Sequence, residues 1–143
     1  MTELERTQTL FESLSKVNMN IEGVLKIAGL DELATCWVMF AYVTPELDVR
    51  SFERVNSHLV MRLIELGICE ELSQKLVRIA IEEKVQCRTF AQRTRAAVIG
   101  VSQYTYSTKR ERYEPGIVLA HHEIKKWEDS AKRSMVAYNN TRC

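Results

Sequence analysis

Apolar positions recur at spacings of three and four residues along most of the chain, the period of helices buried on one face. Leu4, Leu10, Phe11, Leu14 and Val17 make the first such stripe, over residues 3–17. Thr2 and Glu5 stand at capping-box spacing before it, where each satisfies a backbone donor of the other's turn. Asn18 and Asn20 interrupt the stripe, and Ile21–Ala28 reads as a short helix closed by Gly29. Asp31 is placed to cap a helix over Glu32–Val43. Its segment Leu33–Val43 is the most apolar of the chain and reads as a buried core helix.

Thr44 and Pro45 form a helix start, with proline at the first position, where its missing N–H costs nothing. Phe52, Val55, Leu59, Val60, Leu63, Ile64 and Leu66 then keep helical spacing as far as Gly67. Glu70–Val85 continues the pattern through Leu72, Leu76, Val77, Ile79, Ala80 and Ile81. Glu70 and Glu71 lie in its first turn, which the helix dipole favours for acids. A last helix is expected over Ile117–Ala137, after Pro115 and Gly116 end the segment before it. The expected fold is all-α, a compact helical domain of about six or seven helices.

Between Cys87 and Pro115 the pattern changes. Residues 95–110, RAAVIGVSQYTYSTKR, fit a helix-turn-helix. Such a motif needs a small residue where the two helices cross, supplied by Ala96 and Ala97. It needs a turn residue that tolerates positive φ, Gly100. It needs an apolar plug, Val101, then a cap, Ser102, then an inward residue one turn later, Tyr106. In that register Gln103 and Tyr104 face outward at the start of the second helix, the end that enters the major groove in this motif. Gln103 is suited to pair with adenine and Tyr104 to pack on a thymine methyl, and Thr108 shares their face. Thr105 and Ser107 are better placed for phosphates. Arg88, Arg93, Arg95, Lys109, Arg110 and Arg112 form a basic rim for salt-dependent attraction to the backbone. A plain helical hairpin is the alternative reading of the same residues.

The charge distribution points the same way. Residues 1–87 hold 9 Lys+Arg and 14 Asp+Glu, a net of −5, and residues 88–143 hold 11 and 5, a net of +6. An acidic helical region, 1–87, therefore precedes a basic region, 88–143, with both expected in one compact domain. The basic end suits a polyanion.

The helix-turn-helix resembles that of the late antitermination proteins (Q proteins) of lambda-like bacteriophages. The resemblance rests on Arg95-Ala96-Ala97 and on Val101–Ser107, extends faintly into Val118–Ser130, and touches the apolar helix ending in Met39-Phe40-Ala41-Tyr42. It covers about a third of the chain. It implies binding to double-stranded DNA beside a late promoter, then loading onto RNA polymerase that reads through terminators. By resemblance, Gln103, Tyr104 and Thr108 carry base contacts, with Arg110 and its neighbours on phosphates. The lambda type holds zinc with paired CxxC motifs. Here Val49–Lys84 has none, so the resemblance is to a zinc-free variant.

Other constellations add little. Cys36, Cys69, Cys87 and Cys143 form no CxxC pair, which argues against a zinc ribbon, and Cys36 and Cys69 read as core thiols. His121 and His122 diverge by about 100° on a helix and do not converge on one ion. Glu82-Glu83 reads as a solvated helix end. Lys125, Lys126, Lys132 and Arg133 make a basic face on the last helix, either a second phosphate contact or a solvated surface over a buried Trp127. No phosphate loop, HExxH or nucleophile elbow is present, so no enzyme, metal or cofactor is expected. The chain begins without the basic and apolar regions of a secretory signal. The 11 residues of Leu33–Val43 fall short of the about 20 a membrane span needs. A cytoplasmic protein of a bacterium or phage-infected cell is expected, with DNA, RNA polymerase and a second copy of the chain as candidate partners. The rival reading is a helical adaptor or inhibitor that docks on a host protein. Another is a binder of RNA or DNA without sequence preference.

Overall fold

The computed structural model describes residues 31–43 and 49–141. Among them there are six α-helices and no strand, so the fold is all-α. The helices are α1 (Glu32–Val38), α2 (Val49–Glu65), α3 (Glu70–Val85), α4 (Gln92–Ile99), α5 (Gln103–Thr108) and α6 (Arg110–Thr141). A π-helical turn, Met39–Val43, prolongs α1. The helices expected over residues 3–17 and Ile21–Ala28, the cap at Thr44 and Cys143 lie outside the described residues. No described helix is long and apolar enough to cross a membrane.

The chain divides into two units, one of Met1–Val55 with Ile124–Cys143 and one of Asn56–Glu123. Both boundaries fall inside helices, α2 and α6, rather than at the change of charge near residue 87. In the first unit Ala34, Trp37 and Val38 of α1 are fully buried, as the apolar run requires. Trp37 meets Phe40 with ring centroids 6.0 Å apart, and Phe40 meets Phe52 at 5.0 Å. The indole N–H of Trp37 donates to Glu128 Oε1 at 3.2 Å, so the buried polar tip of the ring is satisfied. Trp127 is buried while Lys125 and Lys126 stay in solvent, the arrangement of a solvated face over an indole. Asp31 precedes α1 as expected but makes no side-chain cap. Its carbonyl takes the Thr35 N–H and hydroxyl instead.

In the second unit the stripes of α2 and α3 are buried at Leu59, Leu63, Leu76, Val77, Ile79 and Ala80. Gly67 ends the first stripe with φ +91, where an L side chain would be strained. Leu66, read as part of that stripe, is 58% exposed, because α2 stops one residue earlier. Cys69 is exposed, not a core thiol: it stands at the N-cap of α3, before the buried stripe begins.

The last helix differs most from expectation. It starts at Arg110 and runs through Pro115 and Gly116. Pro115 lies in the second turn and forfeits one backbone bond to the Glu111 carbonyl. Gly116 is a packing residue rather than a helix end. A Cβ built there would lie 2.8 Å from Leu76 Cδ1 and 3.1 Å from both Ile68 Cδ1 and Leu63 Cδ2. Its missing side chain lets α6 come close to the methyls of residues 63–76.

Candidate nucleic-acid interface

Helices α4 and α5 are joined by a short turn at Gly100, with the caps and the inward residue where the sequence expects them. Ala96 is buried at the crossing, whereas Ala97 faces solvent, so one small residue suffices. Gly100 closes α4 in the left-handed region at φ +89, ψ 27. The N–H groups of Gly100 and Val101 both return to the Ala96 carbonyl, at 2.9 and 3.0 Å. Lys75 Nζ donates to the Ile99 carbonyl at 3.1 Å, placing a cation at the negative end of α4. Val101 is half-buried, as a plug would be. Ser102 then caps α5: its Oγ accepts the Thr105 N–H at 3.0 Å and donates to Thr105 Oγ1 at 2.9 Å.

The outward face of α5 carries Gln103, Tyr104, Ser107 and Thr108, all exposed, and Tyr104 is 78% exposed. A large aromatic left so far in water gains nothing for the fold, which makes it available to a partner. The Thr108 hydroxyl donates to the Tyr104 carbonyl at 3.0 Å and also lies 3.3 Å from the Thr105 carbonyl. Its hydrogen is spent within the helix, and only its lone pairs face outward. Thr105 is half-buried and held by Ser102. Arg88, Arg93, Lys109, Arg110 and Arg112, which precede and follow α5 in sequence, are all exposed. Arg88 lies over the Phe90 ring at 5.4 Å, and Arg110 Nε is 3.9 Å from Glu114 Oε1. Residues 88–112 thus hold five exposed cations and one acid, Glu111.

Arg95, the sixth cation of the expected rim, points inward. Its Nε lies 3.0 Å from Glu83 Oε2 and its Nη2 2.9 Å from Glu83 Oε1. Glu83 is only 3% exposed, so it is no solvated helix end. The same carboxylate accepts the Phe90 N–H at 2.6 Å and meets His121 Nε2 at 2.7 Å. Arg95 Nη1 donates to the Tyr106 hydroxyl at 3.1 Å, and that hydroxyl donates to Glu114 Oε1 at 3.4 Å. Tyr106 is fully buried, as its inward register requires, and stacks on Tyr113 with centroids 5.5 Å apart and planes 8° from parallel. One carboxylate thereby ties α3 to the loop before α4, to α4 itself and to α6.

No family model matches this chain, and neither does a curated protein or a solved structure.

The electrostatics of the buried cluster follow from its contacts. Burial pushes the Glu83 carboxyl up. The bonds from Arg95, His121 and the Phe90 N–H, with the charge of Arg95, more than offset this and leave it below the ordinary value. Burial disfavours the Arg95 charge too, but Glu83 and Tyr106 hold it above the ordinary guanidinium value. At His121 burial prevails over the attraction of Glu83, helped by the charges of Lys84 and Arg95, and the imidazole titrates below its ordinary value. His121 is therefore neutral at pH 7 and donates through Nε2 to the ionised Glu83. His122, its neighbour, faces solvent, so the two rings diverge as adjacent helix positions must.

Three members of this cluster escape a reading by residue type: Glu83, Glu114 and His121. The periodicity holds the signal for two of them. Glu83 continues the buried series Leu76, Ile79, Ala80. His121 adjoins the series Tyr113, Ile117, Ala120, Ile124. An acid and a histidine at core positions of two helices, with an arginine between them in sequence, suggest a buried pair rather than two solvated faces.

Proposed function

We propose that this chain is a sequence-specific DNA-binding regulator of transcription whose recognition helix is α5. The observation that carries this reading is the outward face of α5. Gln103 and a 78% exposed Tyr104 stand at its capped N-terminal end, and the exposed Arg93, Lys109, Arg110 and Arg112 flank the helix in sequence. A glutamine amide pairs in bidentate fashion with adenine, and an aromatic ring packs on a thymine methyl. The cations supply the sequence-independent attraction to phosphate. Arg95 has no part in this, being spent on Glu83. Serine and threonine hydroxyls at 102 and 105 serve the cap first.

Helix α5 has six residues, about 9 Å at 1.5 Å per residue, and reaches only a few base pairs. Two copies of the chain on adjacent half-sites give useful specificity, so a homodimer on DNA belongs to the proposal. The resemblance of residues 95–107 to the late antitermination proteins extends it to RNA polymerase as second partner, with terminator read-through as the outcome.

Selection from random duplexes by the purified protein at near-physiological salt tests the reading. A recovered motif, lost in a Gln103→Ala/Tyr104→Ala variant of unchanged helical content, is the expected result. Recovery of no motif, with weak binding that vanishes as salt rises, overturns it and favours a protein-docking role for the basic face. Polymerase started beside a recovered motif is then expected to pass a downstream terminator only when the protein is present.

A further inference from the structure

We infer that the Tyr106 hydroxyl is a positioning group that fixes α5 on its scaffold and thereby sets how sharply α5 discriminates between sequences; this rests on the reading of α5 as the recognition helix.

Helix α5 cannot hold itself in place. Its six residues are fewer than two turns, too short for a helix to persist alone. Ser102 caps it from within, but that bond does not anchor it to anything else. Tyr106 is the one buried residue of α5. The orientation of the whole helix, with Gln103 and Tyr104 on it, therefore depends on how this side chain is held. The ring stack on Tyr113 resists withdrawal but does not by itself define one orientation of the ring, since stacking geometry is broad. The hydroxyl removes that freedom. It accepts from Arg95 Nη1 at 3.1 Å on one side and donates to Glu114 at 3.4 Å on the other, which uses its single hydrogen and one lone pair.

Both anchors are themselves held. Arg95 is locked by two bonds to the buried Glu83, whose remaining capacity is taken by the Phe90 N–H and His121. Glu114 lies on α6, 3.9 Å from Arg110 of the basic rim. The series Glu83, Arg95, Tyr106, Glu114, Arg110 thus runs from the core to the proposed phosphate contacts, with the phenol as its only uncharged member. Arg95 acts on recognition through this hydroxyl and not by touching DNA.

Tyr106→Phe keeps the ring, the stack and the buried volume, and deletes only the hydroxyl. Two measurements on the full chain decide the matter. The first is competition between the best selected duplex and a scrambled one, repeated over a salt series. The expected result is a discrimination ratio lowered roughly tenfold, the value of one well-placed base contact, with affinity for the scrambled duplex and the salt slope unchanged. The second is amide hydrogen exchange of the free protein, expected to quicken in α5 but not in α3. Glu114→Gln, which keeps an acceptor for the hydroxyl, is expected to retain discrimination. Unchanged discrimination and unchanged exchange in Tyr106→Phe overturn the inference. A wild-type protein that prefers no duplex overturns the DNA reading and the recognition half of this inference with it. The exchange comparison then judges the positioning half by itself.

Discussion

The Arg95 guanidinium and the Glu83 carboxylate meet edge to edge, Nε to Oε2 at 3.0 Å and Nη2 to Oε1 at 2.9 Å. This two-pronged geometry is available to arginine and not to lysine. The pair is costly to desolvate, and its value to the fold lies less in net stability than in the cost of disturbing one half. Glu83→Ala strands a buried guanidinium, the Phe90 N–H and His121 together. A loss of about 3–5 kcal/mol is expected. Arg95→Lys keeps the charge but not the fork and is expected to lose part of this. Denaturant unfolding of the singles and of Glu83→Ala/Arg95→Ala gives the coupling directly. A double variant as costly as the sum of the singles contradicts the pairing.

Acid is expected to destabilise the protein in two stages. The His121 imidazole titrates below its ordinary 6.5 and the Glu83 carboxyl below its ordinary 4.5. In both cases the folded chain binds protons less readily than the unfolded one. Stability is therefore full above the unfolded value and is lost as pH falls through the folded one. The histidine stage starts below about pH 6.5 and the carboxylate stage below about 4.5. Unfolding midpoints measured down this range are expected to fall in both stages, and His121→Asn is expected to abolish the first stage alone. A wild-type midpoint that rises on acidification from neutrality contradicts a lowered His121 pKa.

The capped turn between α4 and α5 was legible because its parts are local. Gly100 and Ser102 each act on neighbours within four residues, and the inward place of Tyr106 follows from its position one turn after the cap, so their order along the chain carries the geometry. The buried pair was not legible for the opposite reason: Glu83 and Arg95 are 12 residues apart and His121 is 38 beyond Glu83. An arginine inside a basic run looks like its exposed neighbours until the helix register is fixed to within one position. The start of α6 failed by another route. Pro115 and Gly116 are stop signals in water, but here tertiary packing decides. The open backbone of Gly116 admits the methyls of Leu63, Ile68 and Leu76, and that contact outweighs local preference.

The turn between α4 and α5 gives a test free of any functional assumption. A Cβ on Gly100 would meet nothing closer than Lys75 Nζ at 3.9 Å, so space is no obstacle. Conformation is: φ +89 lies where an L residue is strained by about 1–2 kcal/mol. Gly100→Ala is expected to destabilise by about that amount, and Gly100→Asn by less, since asparagine tolerates this region. Ser102→Ala, which removes the bond to the Thr105 N–H, is expected to cost about 1 kcal/mol. Thermal unfolding resolves both. Equal stability of Gly100→Ala and the wild type means that this turn does not hold the conformation described.

Arg93, Lys109 and Arg112 separate the two ways in which the basic face acts on DNA. Each is exposed. As phosphate ligands they release counterions, so each contributes about 0.9 to the slope of log affinity against log salt. Replacing any one by alanine is expected to lower that slope by about this amount and to weaken binding to selected and scrambled duplexes equally. Arg95→Ala gives the contrast: the side chain is already paired with Glu83, so the slope stays the same while stability falls. If Arg95→Ala lowers the slope as much as Arg93→Ala does, the guanidinium leaves Glu83 for phosphate in the complex. The division between buried clamp and exposed rim then fails at the residue on which it depends.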